Sequence, residues 1–373
     1  MEMRIQSKIW SGAVVPFLRK NLALWNVTNL KITDSPHCMA SFTIPGLSHE
    51  SFDIDANPKI TSLMITSVLA RAYALNKPDS TTGKAFLDWP TVSNGRYTFV
   101  SSTELRMSQD LYNPEIPKWP LDAKFSLGNV GNTSIANVIE FYVHGKAQHL
   151  WTNVTQLVCI DSTTRKPTPL PDWFKEQYKG KGCLEKGFIV KPFERPPITF
   201  VQPVTVSWSD TDIQKHTNFA SYVRFALDCL HAAVREEPGD STKNSTPTKS
   251  KEATHNGSEI NSETVTTSES VLNHDGSDGN PQSKSSSKHA TTNGNTTPDK
   301  PLQGITKEKI ANGLKTIQIC YLSESLEGET LNVHIWQEAG LEYDVWCAVE
   351  RDSKDICQIK LEYFDTPRTG SSD

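Results

Sequence analysis

Apolar and polar residues alternate along two separate parts of the chain, and each part also holds one stretch with helical spacing. In the first part, alternation predicts strands at residues 40–44, 52–54, 97–101, 123–127, 135–143 and 156–161. Residues 59–75 carry apolar side chains three to four positions apart, which predicts a helix before the third of these strands. The first part therefore has the order strand, helix, several strands.

The second part has the same order. Residues 204–208 alternate as a strand, and Tyr222, Ala226, Leu230 and Val234 recur every four residues in a predicted helix at 219–235. Asn218 is the candidate N-cap of this helix, because its side chain can accept a hydrogen bond from a free backbone N–H. Strands are predicted at 316–321, 330–337, 343–350 and 355–364. We expect an α+β chain with two copies of one architecture, a long antiparallel sheet wrapped around one helix, in domains of residues 1–190 and 191–373.

Residues 236–303 separate the second predicted helix from its strands. These 68 residues contain no Phe, Trp or Tyr and are rich in Ser, Thr, Asn, Lys, Asp and Gly. Such a composition cannot bury enough apolar surface to offset the entropy of ordering, so we expect a disordered segment. The strands that follow need the preceding helix to cover one face of their sheet. The segment is therefore predicted to interrupt a single domain.

Composition excludes several classes of protein. A net charge of −5 argues against a broad nucleic-acid-binding face, and no run of apolar residues is long enough to span a membrane. Seven cysteines without CxxC spacing disfavour a zinc knuckle or a disulfide framework. Buried thiols in a reducing compartment fit better, and no good signal-peptide core is visible, so we expect a cytoplasmic protein.

The polar residues that could take part in a reaction are concentrated between the strand at 204–208 and the following helix. Asp210, Asp212, Gln214, His216 and Asn218 lie within nine residues there. Free N–H groups at a helix start can hold an oxyanion, and a nearby carboxylate or imidazole can activate water or attack directly. Asp and Asn also gather at helix starts simply to cap them, so a purely structural role is the alternative at this point.

The stretch W-S-D-x-D-x-x-x-H-x-N-x-x-x-Y resembles the catalytic half of the fatty acyl-ACP thioesterases, a family with two tandem hotdog domains in one chain. Asp212 and His216 match the aspartate and histidine of that family, and Gln214 stands where the family usually has a catalytic asparagine. In Cys320-Tyr-Leu-Ser-Glu324-Ser325, the glutamate matches the family's catalytic glutamate. Ser325 stands where the family often has cysteine.

The resemblance implies hydrolysis of fatty acyl-ACP or acyl-CoA thioesters without a cofactor or a metal. Asp212 and Gln214 would orient His216 or the substrate carbonyl. Glu324 would activate water together with His216, or one carboxylate would attack covalently. Backbone N–H groups near His216 and Asn218 would form the oxyanion hole.

Some roles remain open at this stage. If Ser325 is the nucleophile, His216 is its candidate base. The first half would shape the acyl pocket, with Met64 and Val68 as candidate lining residues, although an apolar helical stripe is as easily plain core. Asp53, Asp55 and Asn57 precede the first helix without a histidine, and we interpret them as structural.

Two other functions fit the same fold. A catalytically weakened hotdog protein could bind acyl chains or act as a scaffold, which the Gln214 substitution and the long insert favour. An acyl hydratase is the weaker alternative, because Glu324 points to hydrolysis. The chain is expected to act as a monomer or a homodimer.

Overall fold

The computed structural model describes residues 26–34, 37–80, 82–212, 215–236 and 301–367. Its strands are β1 Thr28–Thr33, β2 Met39–Ile44, β3 Arg96–Met107, β4 Leu121–Val130, β5 Ser134–Val143, β6 His149–Asp161, β7 Phe200–Thr205, β8 Leu314–Tyr321, β9 Thr330–Trp336, β10 Asp344–Arg351 and β11 Lys354–Tyr363. Its α-helices are α1 Ile60–Asn76, α2 Trp89–Val92, α3 Asp172–Tyr178, α4 Phe219–Glu236 and α5 Lys307–Ala311.

The described strands form one antiparallel sheet in the order β1-β2-β4-β5-β6-β3-β8-β11-β10-β9-β7. The two halves of the chain meet where β3 pairs with β8, in a register that runs from Ser102 opposite Cys320 to Arg106 opposite Thr316. Outward from this seam, the order β3, β6, β5, β4, β2 in one half matches β8, β11, β10, β9, β7 in the other. The predicted tandem of two hotdog domains is confirmed.

Each half places one long helix between matching strands, α1 between β2 and β3 and α4 between β7 and β8. The predicted periodicity of α4 is confirmed for Tyr222, Ala226 and Leu230, which are buried on one face, while Val234 is partly buried against the core. This face packs against β7, β9, β10 and β11, and α4 also contacts α1. The two helices therefore lie in one continuous core that both halves share.

Two sequence-predicted strands differ from the structure. Residues 52–54 form a turn, because the Asp53 carboxylate accepts hydrogen bonds from the backbone N–H of Asp55 and Asn57 and closes the chain locally. The strand predicted at 204–208 is β7, which ends earlier, at Thr205. Residues Trp208–Asp210 form a 3-10 turn that begins with a capping box between Ser207 and Asp210.

Of the predicted insert at 236–303, residues 237–300 lie outside the described residues. Glu236 is the last residue of α4, and the described chain resumes at Pro301. Leu302 is 4% exposed, and the side-chain oxygen of Gln337 accepts hydrogen bonds from the backbone N–H groups of Gln303, Gly304 and Ile305. The packed structure therefore includes the last residues of the predicted insert.

The cysteines are distributed through both halves. All seven are unpaired, and Cys183 is exposed while the others are buried. Among the described helices, none has the length and hydrophobicity needed to cross a membrane.

Candidate active site

His216 lies in a tight turn that ends just before α4. The Asp212 N–H donates to the His216 carbonyl at 2.8 Å, and the His216 N–H lies 3.4 Å from Asp212 Oδ1. Lys215, inside the turn, has a positive φ of 64°. The Asp212 carboxylate therefore fixes the backbone that presents the imidazole. Gln214, the third predicted residue of this turn, lies outside the described residues.

Glu324 reaches the same place from the loop that follows β8. Its Oε1 lies 3.5 Å from Nδ1 of His216. The loop is held against the turn because the Thr217 N–H donates to the Ser325 carbonyl at 2.8 Å. The Arg351 guanidinium donates to the Glu324 carbonyl at 2.7 Å. The structure thus brings Asp212, His216 and Glu324 together although more than a hundred residues separate the last two in sequence.

Arg165 is a site residue that the sequence interpretation did not assign. It lies in the turn after β6, in the other half of the chain, and its Nη2 donates to both carboxylate oxygens of Glu324 at 3.0 and 3.1 Å. Its guanidinium also lies over the Phe99 ring, 5.3 Å from the ring centre. Nothing in the local sequence around Arg165 signals this contact, because it depends on how the two halves are paired.

These residues lie in the wall of a cavity of about 990 Å³ that both halves enclose. The second half of α1 contributes Val68, Arg71, Ala72, Leu75 and Asn76, which recur at helical spacing on one face. Of the two predicted pocket residues, Val68 lines the cavity. Met64 is 1% exposed and lies one turn earlier in the helix, within the core.

Of the backbone N–H groups expected near His216 and Asn218 as the oxyanion hole, those of these two residues themselves already make hydrogen bonds inside the protein. The Asn218 N–H donates to the Asp210 carbonyl at 2.7 Å, and the His216 N–H faces Asp212. The Asn218 side chain accepts from the Ala220 N–H at 2.9 Å, which confirms it as the N-cap of α4. Phe219 lines the cavity, and its N–H in the first turn of α4 has no acceptor among the described residues. The Phe219 N–H, next to Asn218 in the sequence, is therefore the candidate oxyanion donor.

Ser325 is fully buried and is not among the described residues that line the cavity. Its hydroxyl lies 2.6 Å from Thr217 Oγ1 and 2.8 Å from the Tyr222 hydroxyl. Burial raises the pKa of Tyr222 to about 12, so its phenol stays protonated at neutral pH. The serine hydroxyl therefore connects the loop after β8 to α4 and is directed away from the cavity wall.

Asp210 is a structural member of the motif. It is 4% exposed, and its carboxylate accepts from the Ser207 N–H at 3.0 Å and forms an ion pair with Arg224. Its carbonyl accepts from the Ser221 hydroxyl at 3.0 Å as well as from Asn218. Of the two aspartates in the motif, Asp210 secures the start of α4, and Asp212 lines the cavity.

The turn before α1 repeats the geometry of the turn before α4. The Asp53 N–H donates to the Asn57 carbonyl at 2.9 Å, and the Asn57 N–H donates to Asp53 Oδ1 at 2.8 Å. Asp53 thus occupies the position of Asp212, and Asn57 that of His216. The interpretation of Asp53 and Asn57 as structural agrees with these hydrogen bonds, since an amide has no basic nitrogen to exchange protons.

The arrangement suits attack on an acyl group. A carboxylate and an imidazole lie together in the wall of a large cavity, and the same wall includes Phe219, whose N–H at the positive end of a helix has no acceptor among the described residues. Apolar side chains such as Val68, Leu75 and Leu157 provide walls for a hydrocarbon chain.

No protein-family model matches the sequence, and no curated protein matches it. Among solved structures, it is similar to a protein described as an oleoyl thioesterase from Lactobacillus plantarum, with a TM-score of 0.56, 13% identity and coverage of 89% of this chain and 98% of that one. It is also similar to the 12:0-ACP thioesterase from Umbellularia californica, with a TM-score of 0.52, 11% identity and coverage of 87% and 97%. At this identity the likeness concerns the fold, and the chain has the double hotdog fold of these acyl thioesterases.

Proposed function

We propose that the protein hydrolyses acyl thioesters of acyl carrier protein or coenzyme A and releases a free fatty acid. The observation that carries this proposal is the contact of 3.5 Å between His216 and Glu324 in the wall of the cavity. The fold shared with structures described as thioesterases supports it. The cysteine pattern favours a cytoplasmic location. A reaction that releases free fatty acid would belong to fatty acid metabolism.

In the proposed reaction, Glu324 and His216 take a proton from a water molecule, whose oxygen attacks the thioester carbonyl carbon. The carbonyl electrons move onto oxygen, where the Phe219 N–H stabilises the negative charge. The C–S bond then breaks as the carbonyl re-forms. The leaving thiolate needs little protonation, because thiols have pKa values near 8.5. Asp212 and Gln214 act as positioning residues for the turn that holds His216.

The test is thiol release from a panel of acyl-ACP and acyl-CoA substrates of increasing chain length. The unmodified protein is compared with Glu324→Gln and Asp212→Asn, and with Glu327→Gln as a matched control in the same loop. Glu327 is exposed and is not among the described residues that line the cavity. We expect Glu324→Gln to lose at least about a hundredfold in kcat/KM, as is usual for a positioned acid–base group, and the control to keep full activity.

A second candidate function is acyl binding without turnover. The observation that favours it is the Arg165 guanidinium, which occupies both oxygens of Glu324. Absence of thiol release for every substrate, together with fatty acid retained by the purified protein, would support this function and contradict hydrolysis.

A further inference from the structure

The cavity contains a buried cation that the proposed hydrolysis does not use. Arg71 is 7% exposed, lies on α1 and lines the cavity. Among the described residues, its guanidinium has neither a hydrogen-bond acceptor nor an ion-pair partner. Burial lowers the pKa of Arg71 to about 10, without a contribution from a neighbouring carboxylate. The group nevertheless stays charged at neutral pH, and a buried charge is costly unless it is paired.

The described residues of the first half supply no negative charge to the cavity wall around Arg71. The helix α1 contains no Asp or Glu. Among the described residues of the first half that line the cavity, there is no carboxylate either, and there are two further arginines, Arg96 and Arg165. Arg96 donates through Nη1 to the carbonyls of Val92 and Asn94 at 3.4 Å, and its Nε is buried without an acceptor. The carboxylates in the wall, Asp212 and Glu324, come from the second half.

A plain hydrocarbon chain in this cavity would leave the guanidinium unpaired. The phosphate groups of a carrier are an unsuitable partner, because they belong to a large polar body that stays outside a cavity of this size. Burial supports this placement, since Arg71 is 7% exposed whereas the Glu324 side chain is 42% exposed. The partner of Arg71 is therefore expected on the acyl chain itself.

We propose that Arg71 binds a carboxylate on the acyl chain, so that the preferred substrates are thioesters of dicarboxylic acids. This inference rests on the proposed thioester hydrolysis and specifies its substrate class. A guanidinium can donate two parallel hydrogen bonds to a carboxylate. This pairing compensates both charges and fixes the orientation of the distal end of the chain. Arg71 is then a specificity residue that touches the substrate far from the thioester.

The experiment compares decanoyl-CoA, decanedioyl-CoA and 10-hydroxydecanoyl-CoA, and equivalent trios of shorter and longer chains. For the unmodified protein we expect kcat/KM to be at least about tenfold higher for the dicarboxylic thioester of the best length than for its plain counterpart. Arg71→Met should remove this preference, and Arg71→Lys should retain part of it. Arg235→Met is the control, since Arg235 is exposed and is not among the described cavity residues.

An equal ratio in the unmodified protein and Arg71→Met would overturn the inference while leaving hydrolysis intact. A preference for the hydroxyacyl thioester equal to that for the dicarboxylic one would overturn the assignment of an anion. If no thioester is hydrolysed, the proposed function fails. The role of Arg71 is then tested separately, by calorimetric measurement of the affinities for decanedioate and decanoate. Tighter binding of the diacid that is lost in Arg71→Met supports the anion site, and equal binding of the two acids contradicts it.

Discussion

Arg165 and Glu324 belong to different halves of the chain, and one guanidinium nitrogen donates to both oxygens of the carboxylate. The half expected only to shape the pocket thus holds the carboxylate of the half expected to carry the chemistry. Both side chains are close to half exposed, so solvent weakens the attraction, and its main effect is on orientation.

Replacement of Arg165 tests the orientation directly. We expect Arg165→Asn to lower kcat/KM about tenfold to a hundredfold, because a carboxylate misplaced by about 1 Å loses activity on that scale. Asn suits the site because Arg165 has a positive φ of 56°, which Asn adopts more easily than most residues. The melting temperature is measured alongside the rate. An unchanged rate would show that Glu324 does not need the arginine.

Replacement of the two aspartates of the motif should have different effects, on stability for Asp210 and on activity for Asp212. Asp210→Asn should lower the free energy of unfolding by about 1–3 kcal/mol, because a buried charge-assisted contact with Arg224 is lost. Asp212→Asn should lower kcat/KM with a much smaller change in stability, because Asp212 lies at the cavity. Denaturant unfolding and thiol release on both variants decide the matter. The reverse assignment of the two effects would contradict the structure.

Ser325 is predicted to be a stability residue. Ser325→Ala should cost about 1–3 kcal/mol, because the buried Tyr222 hydroxyl loses its partner, while activity per folded molecule changes little. Ser325→Ala combined with Tyr222→Phe should recover part of that cost, since both polar groups are then gone. Loss of activity in folded Ser325→Ala, on the scale of Glu324→Gln, would instead identify the serine as the nucleophile.

Two deletions test where the insert ends. Removal of residues 237–300 with a short Gly/Ser bridge should leave a folded protein, because closing a long loop contributes little to stability. The variant that lacks residues 236–303 should have a free energy of unfolding about 2–4 kcal/mol lower than the first deletion variant. It also loses the buried Leu302 and a hydrogen bond to Gln337. Equal melting temperatures for the two deletions would show that Leu302 does not contribute to the core.

His334 gives a prediction about pH. Burial lowers its pKa, and so does the charge of Arg195, while Glu350 opposes the shift. The unfolded chain therefore binds more protons than the folded one as pH falls below about 6.5, so the folded state loses stability in that range. Replacement with Gln should flatten this part of the curve of melting temperature against pH, between about pH 7 and 5. A curve of unchanged slope would show that His334 does not cause the loss of stability at falling pH.

Most of the fold could be predicted because alternation and helical spacing report burial on one face. The misses have local causes. β1 and α3 lie outside the predicted elements, and residues 52–54 alternate in type but are closed into a turn by Asp53. The candidate roles of Asp212, His216 and Glu324 came from the resemblance of two short motifs to a known family.

Other features of the site could not be predicted from sequence. The contact of Arg165 depends on the pairing of β3 with β8, which local sequence does not encode. The burial of Ser325 and the free N–H of Phe219 depend on how the loop after β8 closes over the start of α4.

The seam between β3 and β8 also determines how many reaction centres a chain can have. A homodimer of identical subunits repeats every contact about its twofold axis, so a centre at the interface occurs twice. Here the related turns carry His216 in one half and Asn57 in the other, and a single polypeptide supplies both sides of the seam. The stoichiometry of a covalent or tight-binding inhibitor of the proposed reaction should accordingly be one molecule per polypeptide.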